Sequence, residues 1–193
     1  MKDLFNYYKN ALSNGLCDEY KNRWRACGND KDKLIKLVLS QQATPHLIDY
    51  CYKGLGVGKE YIQKEFADYI NGNRVIQDAD DVNGYTYSLW VGYHGVFDVT
   101  TDVTTMMWVD KAHCTIPETK CPTIYIGCGS RVYLSLNGYN CPRIMLFDDS
   151  EVILYDSDEV SKVLVYRYSP KAKVEIGKYC LAEVKVFDKE LRL

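Results

Sequence analysis

The sequence lacks the features that mark membrane proteins and secreted proteins. No apolar run reaches the roughly 18 to 20 residues that a membrane-spanning helix requires. The first residues, MKDLFNYYKNAL, are charged and polar where a secretory signal peptide would be apolar. We therefore expect a protein without membrane contact that is located in the cytoplasm.

The sequence also has no excess of one sign of charge, because 24 Lys and Arg residues stand against 26 Asp and Glu residues. Dedicated nucleic-acid binders usually carry a strongly basic balance. Residues 42–70 have the helix–turn–helix outline of a DNA-binding motif, but they offer few of the Arg, Lys and Asn side chains that read bases. We interpret this segment as a packing module and do not expect a nucleic-acid partner.

Catalytic motifs are missing as well. The three histidines, His46, His94 and His113, lie in unrelated contexts, and no P-loop, G-x-S-x-G or H-E-x-x-H pattern occurs. The eight cysteines form no C-x-x-C pair, and we expect most of them to be buried, reduced thiols. The sequence therefore assigns no catalytic residue, no metal ligand and no cofactor, and it favours a non-enzymatic protein.

The patterns that are present divide the chain into three segments. Apolar residues recur at helical spacing from the start of the chain to Asn73, and Thr44-Pro45 is a typical helix start. Residues 74–84, RVIQDADDVNG, are polar and acidic and are predicted to form a linker. From Tyr85 the apolar spacing changes to the alternation of strands, first at 85–91 and then at 96–103. We predict an α+β protein with a helical domain at 1–73, a linker at 74–84 and a β-domain at 85–193.

The β-domain contains a repeat of about twenty residues. One series of strands recurs at nearly even steps: Ile124-Tyr-Ile126, Ile144-Met-Leu146, Val163-Leu-Val165 and Val184-Lys-Val186. A second series follows it: Val132-Tyr-Leu134, Val152-Ile-Leu154 and Ala172-Lys-Val174. A unit of two short strands buries its apolar residues only by stacking on its neighbours. The repeat therefore predicts a β-solenoid, with a bulge or a wider turn at 160–170 where the spacing slips. A β-sandwich of hairpins is the alternative.

Strand alternation predicts an apolar outer face on this solenoid. If the first and third residues of each three-residue motif, such as Ile124 and Ile126, point inward, the middle residue points outward. Soluble proteins rarely leave such a ladder in water. We expect the helical domain, a second subunit or an outside partner to cover it, and we favour self-association or domain packing. The predicted surface consists of Tyr125, Met145, Leu164, Tyr133 and Ile153.

Acidic residues gather at the turns of one predicted coil. Carboxylates along a parallel β-helix can bind calcium or act as acid and base on sugars. Aspartate is also favoured in turns for local hydrogen bonding, and this second interpretation is the one we favour. The candidate acidic turn site consists of Asp148, Asp149, Asp156 and Asp158.

The layout resembles a loose group of uncharacterised small proteins from Bacteroidales bacteria, their mobile elements and their phages. In these proteins a short helical head ends in a phrase like that at 58–72, GKEYIQKEFADYING, and short strands follow. The stacked strands also resemble the β-helical core of bactofilins, which polymerise end to end, although the helical head and the acidic segment depart from that pattern. The resemblance implies no activity and no site residues. It implies a phage or mobile-element origin, with the virion as a second location.

Three functions follow as hypotheses. The first is a non-enzymatic binding or assembly protein that forms homo-oligomers through the apolar outer face of its solenoid, with another protein as an alternative partner. The second is a phage protein that sequesters a small molecule or a nucleotide at a site that lies between subunits and is lined by Tyr and Arg. The third is a carbohydrate-active β-helix enzyme that uses the turn carboxylates.

Overall fold

The computed structural model describes residues 2–77 and 84–191, and the side chains from Leu4 onward within that part. Five α-helices precede the strands in the described part: α1 Lys2–Ser13, α2 Asp18–Cys27, α3 Lys31–Val38, α4 Thr44–Tyr52 and α5 Lys59–Glu65. Local sequence sets their ends. Asp30, for example, caps α3 by accepting a hydrogen bond from the backbone N–H of Lys33 at 3.1 Å. None of the described helices is long and apolar enough to cross a membrane.

The strands form a β-solenoid of about five turns, with roughly 20-residue repeats, so the predicted α+β class and the predicted solenoid are confirmed. The described strands are β1 Arg74–Ile76, β2 Tyr85–Val91, β3 Val96–Asp98, β4 Val103–Met107, β5 Asp110–Ile116, β6 Thr123–Gly127, β7 Arg131–Leu136, β8 Arg143–Leu146, β9 Glu151–Ser157, β10 Lys162–Arg167, β11 Lys173–Cys180 and β12 Glu183–Asp188. Residues 96–103, predicted as one strand, contain β3 and the first residue of β4 with a bend between them.

Successive strands alternate between two sheets. The first sheet has the order β1-β2-β4-β6-β8-β10-β12, and all its pairs are parallel except the antiparallel pair of β1 with β2. The second sheet is parallel and has the order β11-β9-β7-β5-β3. The predicted linker at 74–84 begins with strand β1, and its residues 78–83 lie outside the described part of the chain.

The pairing corrects the predicted register of the last coil. The expected alignment of Ile144 with Val163 is wrong, because Ile144 pairs with Val165, and Met145 pairs with Tyr166. In the second sheet Val152 pairs with Val174 and not with Ala172. The last coil is therefore wider than its neighbours, in the region where a wider turn was predicted.

Two separate cores hold the molecule together. The inner core lies between the two sheets and contains columns of fully buried residues such as Ile124, Ile144 and Val165. The outer core lies between the helices and the outward face of the first sheet, where α4 packs against β6 and α5 against β2. Burial of apolar surface in both cores stabilises the fold and binds the helical head to the solenoid.

Two buried serines explain why Ser130-Arg-Val132 recurs twenty residues later as Ser150-Glu-Val152. Both side chains lie inside the turns and are at most 1% exposed. The backbone N–H of Ser130 donates to Ser150 Oγ at 3.0 Å, and that of Val109 donates to Ser130 Oγ at 3.1 Å. Each serine thus satisfies a buried backbone donor of the neighbouring coil, which an apolar residue could not do.

Candidate functional site

The two ends of the solenoid are closed differently. At the β2 end, Trp90 stacks on Phe97 with ring centroids 3.7 Å apart, and Tyr93 packs edge-on against Trp90 at 4.8 Å. These rings pack against the inner core and close it at that end. Strand β1 also pairs with the outer edge of β2.

The opposite end, formed by β11 and β12, leaves inward-pointing residues uncovered. We call Val174, Ile176, Val184 and Val186 the open end. The residues that pair with them one coil below are all 0% exposed: Val152, Leu154, Val163 and Val165. Ile176 is nevertheless 54% exposed and Val186 43% exposed. The same column positions change from buried to exposed because no described residue forms a further coil over them.

The backbone edges at the open end are also unpaired within the described sheets. Strand β11 pairs only with β9, and β12 pairs only with β10. A strand edge of this kind presents a row of N–H and C=O groups that can bond another strand. Tyr179 on β11 and Leu181 directly after that strand are also exposed.

Charges of both signs alternate along the two edge strands. Lys173 and Glu175 flank Val174 on β11, and Glu183 and Lys185 flank Val184 on β12. Lys185 and Glu183 already form an ion pair on the outer face at 2.8 Å. Each edge is therefore complementary in charge to an antiparallel copy of itself.

The five predicted surface residues do not form one surface. Tyr125, Met145 and Leu164 lie on the first sheet, and Tyr133 and Ile153 lie on the second. Tyr125 is only 5% exposed and packs with Met145 against the helices, where its hydroxyl donates to the carbonyl of Gln41 at 3.3 Å. The helical head thus covers this part of the predicted face.

The other three surface residues are placed differently. Leu164 is half-buried and pairs with Arg143 instead of Met145. Ile153 is 5% exposed and pairs with Glu175, not with Lys173. Tyr133 is half-buried and stacks on the His113 ring with centroids 4.7 Å apart. These three residues therefore leave little apolar surface in water.

The acidic turn residues do not converge on one site. Asp148 and Asp149 follow β8, whereas Asp156 and Asp158 lie at the far end of β9. Asp148 accepts hydrogen bonds from the backbone N–H groups of Cys128 at 2.6 Å and Gly129 at 3.0 Å. No three His, Cys, Asp or Glu side chains in the described part of the chain are placed to hold a metal ion.

The nucleophilic candidates are also separate. His113 is exposed, while Cys114 next to it is fully buried on the opposite side of β5. Cys51, Cys114 and Cys128 are the buried thiols among the eight, fewer than expected, and burial raises the pKa of Cys51 to about 12. A thiol with such a pKa stays protonated at neutral pH and is a poor nucleophile.

Comparison of the chain with protein-family models, with curated proteins and with solved structures gives no significant match. The chemistry and geometry of the surface are therefore the basis for proposing a function. The sequence did not reveal the open end as a site, because β11 and β12 carry the same alternation as the buried strands.

Proposed function

We propose that the protein is a non-enzymatic assembly protein that forms a homodimer through the open end of its solenoid. The observation that carries this proposal is the exposure of Ile176 and Val186 at positions that are fully buried in the coil directly below them. A second coil placed over them would bury their apolar surface, which is favourable by about 25 cal/mol for each Å² removed from water.

The proposed partner is a second copy in a two-fold arrangement, end to end. One two-fold axis perpendicular to both sheets pairs β12 with β12 and β11 with β11, each antiparallel. If the axis passes between the two copies of Val184, Glu183 of one copy faces Lys185 of the other. Opposite-charge pairs across antiparallel strands stabilise such pairing.

A head-to-tail filament is less well supported than this closed dimer. The opposite end of the solenoid is filled by Trp90, Tyr93 and Phe97, and β1 covers the edge of β2. The outer face of the first sheet, on which self-association was first expected, is occupied in part by the helices. We therefore propose that the contact forms at the open end and not on the outer face.

The test is the solution mass of the full chain, measured by sedimentation velocity over a concentration series. We expect wild-type protein to approach twice the 22.2 kDa chain mass. A variant with Ile176→Lys and Val186→Lys should sediment as a monomer, because it places two like-charged side chains at the contact. Both residues are already exposed, so circular dichroism should show an unchanged fold.

The matched control is Val96→Lys on β3 at the other end of the solenoid, where Val96 is 71% exposed. It should leave the dimer intact. A wild-type chain that remains monomeric at high micromolar concentration refutes the proposal. Dissociation caused by Val96→Lys would refute the two-fold arrangement and point to head-to-tail contact.

The other hypotheses remain predictions. A phage or mobile-element origin, a cytoplasmic or virion location and a protein partner are expectations from the sequence. The sugar-directed enzyme is the least supported of them, because the four turn aspartates are divided between the two ends of β9. The small-molecule hypothesis stays a prediction as well.

A further inference from the structure

Two cysteines of neighbouring coils lie side by side in the turns that lead into β6 and β8. Cys121 and Cys141 each stand two residues before the first paired residue of their strand. The register is already set ahead of them, because the backbone N–H of Thr119 donates to the carbonyl of Tyr139 at 3.0 Å. The two cysteines therefore occupy equivalent positions of adjacent coils.

Stacked positions of this kind suit a disulfide bond. Neighbouring strands of a sheet lie about 4.7 to 4.9 Å apart. The Cα atoms of a disulfide are usually about 4.4 to 6.8 Å apart. The Cys121 thiol interacts with the thiol and the backbone of Cys141, and both cysteines are free. The fold thus brings two thiols together at a spacing that a disulfide accepts.

Solvent reaches this pair of thiols. Cys121 is exposed and Cys141 is half-buried. The Cys141 thiol donates to the hydroxyl of Tyr139 at 3.6 Å, and Tyr139 is itself 52% exposed. The three buried thiols of the chain, by contrast, lie in the two cores. An oxidant in solution can therefore reach the stacked pair, and access of this kind favours thiol oxidation.

Proton loss controls how fast the pair can react. Partial desolvation of its sulfur, together with the nearby Cys141, raises the pKa of Cys121. Its thiol therefore stays protonated at neutral pH. Since the thiolate is the form that attacks a disulfide, exchange at this pair should become faster as the pH rises.

We propose that Cys121 and Cys141 form a redox modification site, which low-molecular-weight disulfides such as glutathione disulfide oxidise to a bond between neighbouring coils. One protein thiolate attacks the S–S bond of glutathione disulfide, forms a mixed disulfide and releases one glutathione thiolate. The second protein thiolate attacks the protein sulfur of that mixed disulfide, closes the bond and releases the second glutathione. The two protein thiols thus supply two electrons and two protons, which end on two molecules of reduced glutathione.

The site is separate from the proposed dimer contact. It lies beside β6 and β8, and β10 stands between these strands and β12 at the open end. Disulfide formation and dimer formation can therefore succeed or fail independently.

The test is peptide mapping of the full chain after equilibration with excess glutathione disulfide and alkylation of the remaining thiols. Trypsin cleaves after Lys120, Arg131 and Arg143, so the two cysteines fall on separate peptides. We expect peptides 121–131 and 132–143 to be joined, in protein that runs as a single chain without reductant. Glutathione bound separately to both peptides, or joined peptides only in linked pairs of chains, would overturn the proposal.

Three variants assign the bond. Cys121→Ser and Cys141→Ser should each lose the joined peptides and keep the wild-type circular dichroism spectrum. Cys17→Ser, at an exposed cysteine of the helical head, is the matched control and should oxidise as wild type does. Peptide 121–131 also contains Cys128, so joined peptides that persist in Cys121→Ser would refute the assignment.

Two comparisons test whether the stacking is responsible. Wild-type chain oxidised in urea should give a mixture of pairings, and an equal yield of the joined peptides there would refute the role of the fold. The oxidised folded chain should melt about 5 °C or more above the reduced chain, because the bond restricts the unfolded state. A lower melting temperature of the oxidised chain would show that the bond distorts the coils and would refute the fit.

Discussion

Gly127 allows α4 to approach the solenoid, and replacing it tests how the helical head is attached. A methyl group on Gly127 would overlap with Cγ2 of Ile48, which is 0% exposed on α4. The backbone of Gly127 lies outside the left-handed region, so alanine itself is tolerated there. The cost of Gly127→Ala is therefore steric and arises between the two parts of the molecule.

Overpacking by one methyl group costs about 1 to 3 kcal/mol. The loss of unfolded-state freedom on going from glycine to alanine offsets about 0.4 to 1 kcal/mol of this. Ile48→Ala alone should cost about 2 to 5 kcal/mol, because it leaves a cavity. In the double variant the new methyl group occupies part of that cavity. The double variant should therefore lose less stability than the two single variants lose in sum, by about 1 kcal/mol or more.

The assay is urea unfolding of the wild type, the two single variants and the double variant. Gly72→Ala is the control, because a methyl group there would meet only backbone oxygens at 3.6 and 3.7 Å. A Gly127→Ala variant as stable as the Gly72→Ala control would refute the close contact. The close contact would also be refuted if the stability losses of Gly127→Ala and Ile48→Ala add up to that of the double variant within about 0.3 to 0.5 kcal/mol.

Two further predictions concern single residues. Asp148→Asn should lower the free energy of unfolding by about 1 to 3 kcal/mol in urea titrations, because an amide cannot accept all the hydrogen bonds from Cys128, Gly129 and Ser150. Asp156→Asn, at an exposed position, should change it little. Because burial raises the pKa of Asp148 above 3.8, its contribution to stability is greatest below that pH and decreases as the pH rises through its folded pKa. That decrease should be absent from the pH–stability curve of Asp148→Asn, and an unchanged curve would contradict it. Tyr125→Asp should destabilise the fold by about 3 kcal/mol or more in thermal unfolding, because it places a carboxylate under the helices. Its sedimentation as a folded dimer with unchanged stability would contradict the covered face.

Much of the fold could be predicted from local patterns. The helical spacing before Asn73 and the predicted strand at 85–91 match α1 to α5 and β2. The coil length of about twenty residues was visible because like residues stack above like in a solenoid. The Asp148 turn was also predictable, since aspartate tolerates the left-handed backbone, which it adopts at φ 45°, and accepts local hydrogen bonds.

The register of the last coil was not predictable from the same pattern. Val163 and Val165 both point inward, and a slip from one to the other returns every side chain to the same face. Alternation could therefore not distinguish Val163 from Val165 as the partner of Ile144. The turn at 168–172 before β11 is longer than the equivalent turns before β7 and β9, and the register of β9 on β7 shifts after Leu134. These irregularities decide the pairing, and they depend on the coils on which they stack.

By itself the sequence determined the helical head, the alternation of the strands and the repeat, because these depend on residues close together in the chain. Only the tertiary structure decided which apolar faces are covered. Tyr125 and Ile176 have similar apolar character in similar strand patterns, yet one lies beneath α4 and the other is exposed at the open end. Whether an apolar face is buried depends on contacts between segments that are far apart in the sequence. A local sequence pattern contains no information about such contacts.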